Sequence, residues 1–454
     1  MLNLALTAIV GLFFALGLRR PFVWVLAYLY IDILSPQKIA WGFLSVIPIS
    51  LIAFILAFAG WALLDDKRDS RFTLRQGLIG VLLVYCGLTT LGADFPVNAA
   101  EKWAWVWKAL VFALFLPLTL RTRLRIEAAA LVMTLAAAAM IIDGGIKTLA
   151  GGGGYGTLRV LVNDNSGLSE GSTLSTVAIA IIPLIWWLVR HGTIIPRSSL
   201  SVLFGVALTF SCLLIPVGTQ TRTGLICIAL VGLLTLRSVK RRLLYVTGAA
   251  VALLVAIPLL PASYTQRMST IEDHRSDQSA STRVEVWKWT LDYVRDHPFG
   301  GGFDAYRGNS IRVETRKELS AGDNNVAVEV GQTFDKARAY HSAYFEMLGE
   351  QGWPGLILWL WLQLLGLWQM ERIRARWKKR SGPGQEWQAP LANALQQAQF
   401  VYLFGALFVG IAFQPFMFML IGIQCGLWTY LRRVDTPSRP PVRRGPLVMR
   451  TGTA

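Results

Sequence analysis

Residues 338–355 read RAYHSAYFEMLGEQGWPG, and residues 356–368 continue as LILWLWLQLLGLW. The second stretch carries no charge and no alternation of polar with apolar residues. It therefore reads as a membrane helix and not as a strand. In the first stretch His341, Tyr344, Phe345 and Leu348 fall on one helical face, and Gly352, Trp353 and Pro354 then break the pattern. The spacing predicts a short helix over Arg338–Gln351, a bend, and a span from near Leu356. His341 would stand where polar sequence gives way to bilayer.

Similar apolar runs recur at 2–18, 21–34, 40–63, 77–93, 103–120, 127–149, 172–189, 199–216, 222–236, 243–261, 354–370, 396–413 and 414–431. The chain has 454 residues, 54% hydrophobic and only 16% charged, less charge than soluble proteins carry. These features predict an all-α polytopic membrane protein of about 12 transmembrane helices. A β-barrel is disfavoured because the runs are continuous. The first run lacks a basic leader and a small-residue cleavage pattern, so it reads as a retained membrane segment.

The net charge of +17 does not point to nucleic acid, because the basic residues come in short bursts between apolar runs. One set of loops is basic: Arg19–Arg20, Lys67–Arg75, Arg121–Arg125, Arg190–Arg197, Arg237–Arg242, 371–380 and the tail from Arg432. The other set alternates with it and is poor in Lys and Arg. The positive-inside rule then puts the basic loops and the C-terminus in the cytoplasm and His341 on the outer face. The expected organisation is an N-terminal transmembrane bundle over 1–261, a periplasmic loop with amphipathic helices over 262–353, C-terminal transmembrane helices over 354–431, and a basic, Pro-rich, disordered tail over 432–454. Cys86, Cys212, Cys227 and Cys425 all lie within apolar runs and have no metal-ligand spacing, so they read as buried thiols.

In the large loop, STRVEVWKWTLDYVRDHPFGGG (281–302) predicts an amphipathic helix. Thr282 with Glu285 fits a capping box, and Val284, Trp287, Leu291 and Val294 form an apolar stripe. The sequence GGGGYG at 151–156 lacks the preceding strand that a phosphate-binding fingerprint needs, and reads as flexible turns.

Chemistry would gather on the outer face. Imidazole titrates near neutrality, so His341 can take a proton from a hydroxyl; it can equally hydrogen-bond a helix end. Arg222 in GTQTRTGL, with Arg159, Arg283 and Arg338, lies on the side where arginine is not expected. Guanidinium groups suit a diphosphate; snorkelling, for Arg222, and loop salt bridges, for Arg159 and Arg283, are the plainer roles.

HSAYFEMLGEQGWPG, TQTRTG and STRVEVWKWTLDYVRDHPFGGGFDAY together resemble the bacterial O-antigen ligase superfamily, which also includes O-antigen polymerases and protein O-oligosaccharyltransferases. The resemblance implies transfer of a glycan from an undecaprenyl-diphosphate-linked donor to a hydroxyl of lipid A–core at the periplasmic face. It implies His341 as general base and Arg222 and Arg283 on the diphosphate, with Arg159 and Arg338 as further candidates, and no metal or other cofactor. GGGGYG…NDNSG also resembles the exosortase-associated O-glycosylation ligases, for which the acceptor would be a protein hydroxyl. A polyprenyl-glycan transporter is the alternative from another class; it expects internal repeats and mid-membrane ionisable groups.

Overall fold

The computed structural model describes residues 2–435 except 41, 68–69, 152–157, 159–166, 238–240, 245, 249–277, 322–324, 381 and 383. Most of the predicted span at 243–261, Arg159, most of GGGGYG and the tail beyond Asp435 therefore lie outside the described residues. The chain is an α-helical membrane protein. Its helices are α1 (Leu2–Arg19), α2 (Phe22–Leu34), α3 (Pro36–Ile39), α4 (Phe43–Val46), α5 (Ile49–Leu64), α6 (Leu74–Leu91), α7 (Pro96–Thr119), α8 (Arg123–Leu149), α9 (Gly171–Ala180), α10 (Ile182–His191), α11 (Ser199–Gly218) and α12 (Arg222–Leu236). Then follow α13 (Gln278–Asp296), a 3-10 turn (Ala305–Gly308), the antiparallel strands β1 (Ser310–Ala321) and β2 (Asn325–Lys336), α14 (Ala343–Trp377), α15 (Gln388–Gly405) and α16 (Pro415–Asp435).

Among the described residues five helical segments are long and apolar enough to cross a membrane: Leu74–Leu91, Pro96–Thr119, Arg123–Leu149, Gly171–His191 and Ser199–Gly218. Helices also occupy most of the other apolar runs, with shifted ends. The run at 40–63 is broken into the one-turn α4 and the long α5, which starts only at Ile49, because Gly42 (φ 100°) and Pro48 interrupt it. The run at 396–413 ends at Gly405, while its helix starts earlier, at Gln388. The early turns of α15 are polar but buried, and so they escape a hydropathy reading. Arg75, which is fully buried, donates to Gln424 (2.9 Å), Gln424 to Gln399 (3.0 Å), and Gln399 to Gln363 (2.8 Å). This chain of hydrogen bonds joins α6, α16, α15 and α14 inside the bundle.

The basic loops meet at one end. Arg121 pairs with Asp66 and Arg125 with Asp65, Arg123 donates to the His191 carbonyl, and Arg433 donates to the Arg121 carbonyl. Arg237 pairs with Glu371, and Arg380 with Asp435. The four cysteines are free and buried, as their positions predicted.

At the other end α13 packs on α14 and on β1. It begins at Gln278, so Thr282 lies inside the helix and is not its cap. Its buried face is Val286, Thr290 and Val294, while Val284 and Leu291 are exposed. The predicted stripe is rotated because Trp287 turns toward Phe345, with ring centroids 4.9 Å apart and 3° from parallel. The hairpin β1–β2 is an element the sequence reading did not anticipate.

Candidate active site

The histidine segment departs from the predicted helix. The helix begins at Ala343, with Ser342 at its N-cap, and His341 lies just before it with φ 48°. Two features prevent helix over 337–341. Ala337 also has positive φ (58°). The buried Asn309 side chain then occupies both backbone groups of Arg338: its amide donates to the carbonyl at 2.7 Å, and its oxygen accepts from the N–H at 2.9 Å. The bend predicted at Gly352 is present: its φ 62° and ψ −167° divide α14 into a short segment before it and a long one after it. The Trp353 N–H donates to the Pro298 carbonyl, and Gly301 and Gly302 donate to the Gly349 and Glu350 carbonyls. The glycine run after α13 thus docks against the bend.

His341 is exposed, while Tyr340 and Ser342 on either side are buried. Solvent reaches the imidazole, yet enough protein surrounds it that desolvation holds its pKa below the ordinary value. The Arg283 charge adds to that lowering, Glu170 opposes it, and Arg338 adds a smaller contribution. The fold therefore brings together His341, Arg283 and Arg338, from segments that are separate in sequence. Arg338 also pairs with Asp335 at 2.5 Å.

Arg222 is the first residue of α12, placed there by the turn at Gln220 (φ 52°). Beside it the hydroxyls of Ser175, Thr219 and Thr221 form a closed triangle with sides of 2.8, 3.2 and 2.9 Å. A side chain at Gly171 would meet Thr219 at 3.3 Å, so the start of α9 abuts the turn before Arg222. Glu170, the preceding residue, caps α9 through the Thr173 N–H (2.6 Å) and hydroxyl (2.8 Å). It thus lies beside the Arg222 turn, and its charge also reaches His341. Sequence reasoning missed it; the signal was an acid immediately before an apolar helical run.

A buried charge cluster lies behind the histidine segment. Lys102 of α7 holds Glu346 at 2.7 Å and Glu350 at 2.7 Å, with Asp304 at 4.0 Å. Glu346 also accepts from the Ala412 N–H (2.9 Å), and Glu350 from the Asp304 N–H (3.0 Å). These bonds tie the short first segment of α14 to α7, to the loop after α13 and to the loop before α16. They leave an imidazole held at a solvent-reached surface and disposed to be neutral, with arginine charge beside it. That combination can take a proton from a hydroxyl and hold an anion.

Two family models match the chain. Residues 207–360 match one described as O-Antigen ligase, and residues 1–193 match one described as a family of unknown function (DUF5935). The first match takes in Arg222, Arg283, Arg338 and His341, together with the bend at Gly352. No curated protein matches the chain. The ligase match lies over the segment that builds the histidine–arginine site and supports membership of the O-antigen ligase superfamily.

Proposed function

We propose that the protein is an O-antigen ligase that moves a glycan en bloc from undecaprenyl diphosphate to a hydroxyl of lipid A–core. The observation that carries this reading is the convergence of Arg283 and Arg338 on an exposed His341 whose pKa is lowered. His341 removes the acceptor hydroxyl proton as the oxygen attacks the anomeric carbon. The bond from that carbon to the diphosphate breaks, and the diphosphate leaves with the electron pair. Arg283 and Arg222 neutralise the departing charge, with Arg338 and Arg159 in support. The leaving group is already activated, so the step draws on orientation and charge stabilisation and needs no nucleotide.

The gathering of basic loops at the opposite end of the bundle supports an inner-membrane protein with that end in the cytoplasm and the histidine in the periplasm. The further spans, to about 12, complete the bundle, and the loop over 262–353 forms the acceptor-facing domain.

In cells lacking the native gene, the protein should restore glycan on lipid A–core, and the His341→Ala variant should leave bare core while inserting normally. Single repeat units on the core of the deletion strain would instead identify a polymerase. Glycan missing from protein with the core intact would identify the protein-glycosylating branch.

A further inference from the structure

Arg283 and Trp287 are four residues apart on α13 and so share a face. Both address the histidine segment. Arg283 supplies the largest charge felt by His341. Trp287 acts on the backbone beside it: its indole N–H donates to the Tyr340 carbonyl at 2.9 Å. Its ring is stacked on Phe345, so the indole has little freedom to turn away.

His341 needs such support. A non-glycine residue at φ 48° costs about 1–2 kcal/mol and persists only where its surroundings impose it. Four contacts impose it here. Asn309 holds Arg338. Trp287 holds Tyr340. The Ser342 carbonyl accepts from Glu346 N–H at 2.8 Å, and Ala343 N–H donates to the Ala406 carbonyl at 2.8 Å. The last two belong to α14 and its bundle neighbours. Of the four, the Trp287 bond is the one made by the helix that also carries Arg283.

We propose that Trp287 is a positioning residue for the base: α13 sets the direction of the His341 imidazole through Trp287 and, one helical turn earlier, places the anion-holding Arg283. The spacing between general base and leaving-group site is then fixed by one turn of one helix. This deepens the glycan-transfer reading and rests on it. Trp287→Phe isolates the claim, since phenylalanine keeps a ring to stack on Phe345 and lacks the N–H. The Tyr340 carbonyl loses its donor, and the strained residue beside it is free to relax. Displacing a reacting group by a fraction of an ångström lowers turnover without weakening substrate binding.

The test uses the full-length protein in liposomes, with lipid-linked donor varied at fixed acceptor. In parallel, diethyl pyrocarbonate labelling of His341 is followed against pH by mass spectrometry, with His191 as internal reference. The expected result for Trp287→Phe is a kcat lower by about tenfold, a donor KM within about twofold of wild type, and a His341 labelling midpoint raised toward that of free imidazole. An unchanged kcat or an unchanged His341 midpoint overturns the proposal. So does a variant whose loss of turnover follows its loss of folded protein, because that is a packing role. A wild-type protein that transfers no glycan contradicts the functional reading, and the labelling comparison still decides the positioning claim.

Discussion

Lys102→Met tests how the site is held. The ammonium serves two carboxylates, Glu346 with 8% of its side chain exposed and Glu350 with none. Removing one partner of a buried ion pair costs about 3–5 kcal/mol, because the remaining charge is left uncompensated. The protein has one escape, which is to protonate a glutamate. At pH 7 that costs about 3.7 kcal/mol, from about 2.7 pH units above the ordinary value at 1.36 kcal/mol each. At pH 5 it costs about 1 kcal/mol. Lys102→Met should therefore lose about 4 kcal/mol at pH 7, and about 2.7 kcal/mol less than that at pH 5. Adding Glu346→Gln should recover more than about 1 kcal/mol at pH 7, since neighbours in one charge network couple by that much or more. Unfolding by dodecyl sulfate titration in mixed micelles, with helical circular dichroism as the signal, measures all three proteins at both pH values. A loss below about 1 kcal/mol at pH 7, or a loss equal at the two pH values, would refute the reasoning.

Three further outcomes follow from the geometry. His341→Ala should lower the transfer rate by about 10²–10⁴-fold, the range for removing a general base, with insertion unchanged on carbonate-washed membranes. Transfer needs the neutral imidazole, whose pKa is depressed by desolvation and then by Arg283, so the rate should rise with pH through a midpoint below 6.5 and level off above it; Arg283→Gln should move that midpoint upward in a pH–rate profile. Gly352→Ala should lower stability by about 2–3 kcal/mol or more in the same micelle titration, because its φ of 62° with ψ of −167° is a glycine conformation and the new methyl would stand 2.2 Å from the Pro298 carbonyl oxygen.

Much of the architecture was written locally and could be read locally. Apolar runs set most helices, Gly352 with Pro354 set the bend, and the alternation of basic loops anticipated their meeting at one end. The site was legible in part. His341 and Arg283 come together as expected, yet the local helix predicted around His341 is absent. Asn309 and Trp287 lie 29 and 53 residues from the groups they hold, and no local periodicity reports such partners. Lys102 escaped notice for the same reason, since Glu346 is 244 residues away. Glu170 looked like one acid in a polar loop until the fold placed α9 against the Arg222 turn. Helices α14 to α16 were harder to bound because buried glutamines lower their hydropathy. The hairpin was visible as alternation in NVAVEV (325–330), but its long, charged surroundings read as loop.

The account rests on glycan transfer with His341 as the base, and a defined reaction measures it directly. Purified protein in liposomes, supplied with undecaprenyl-diphosphate-linked glycan and lipid A–core and no nucleotide, should yield a core whose mass increases by one complete glycan. It should release one undecaprenyl diphosphate for each product, and the His341→Ala protein should yield neither. Equal product from the His341→Ala protein, or movement of the donor across the bilayer with no change in acceptor mass, would contradict it.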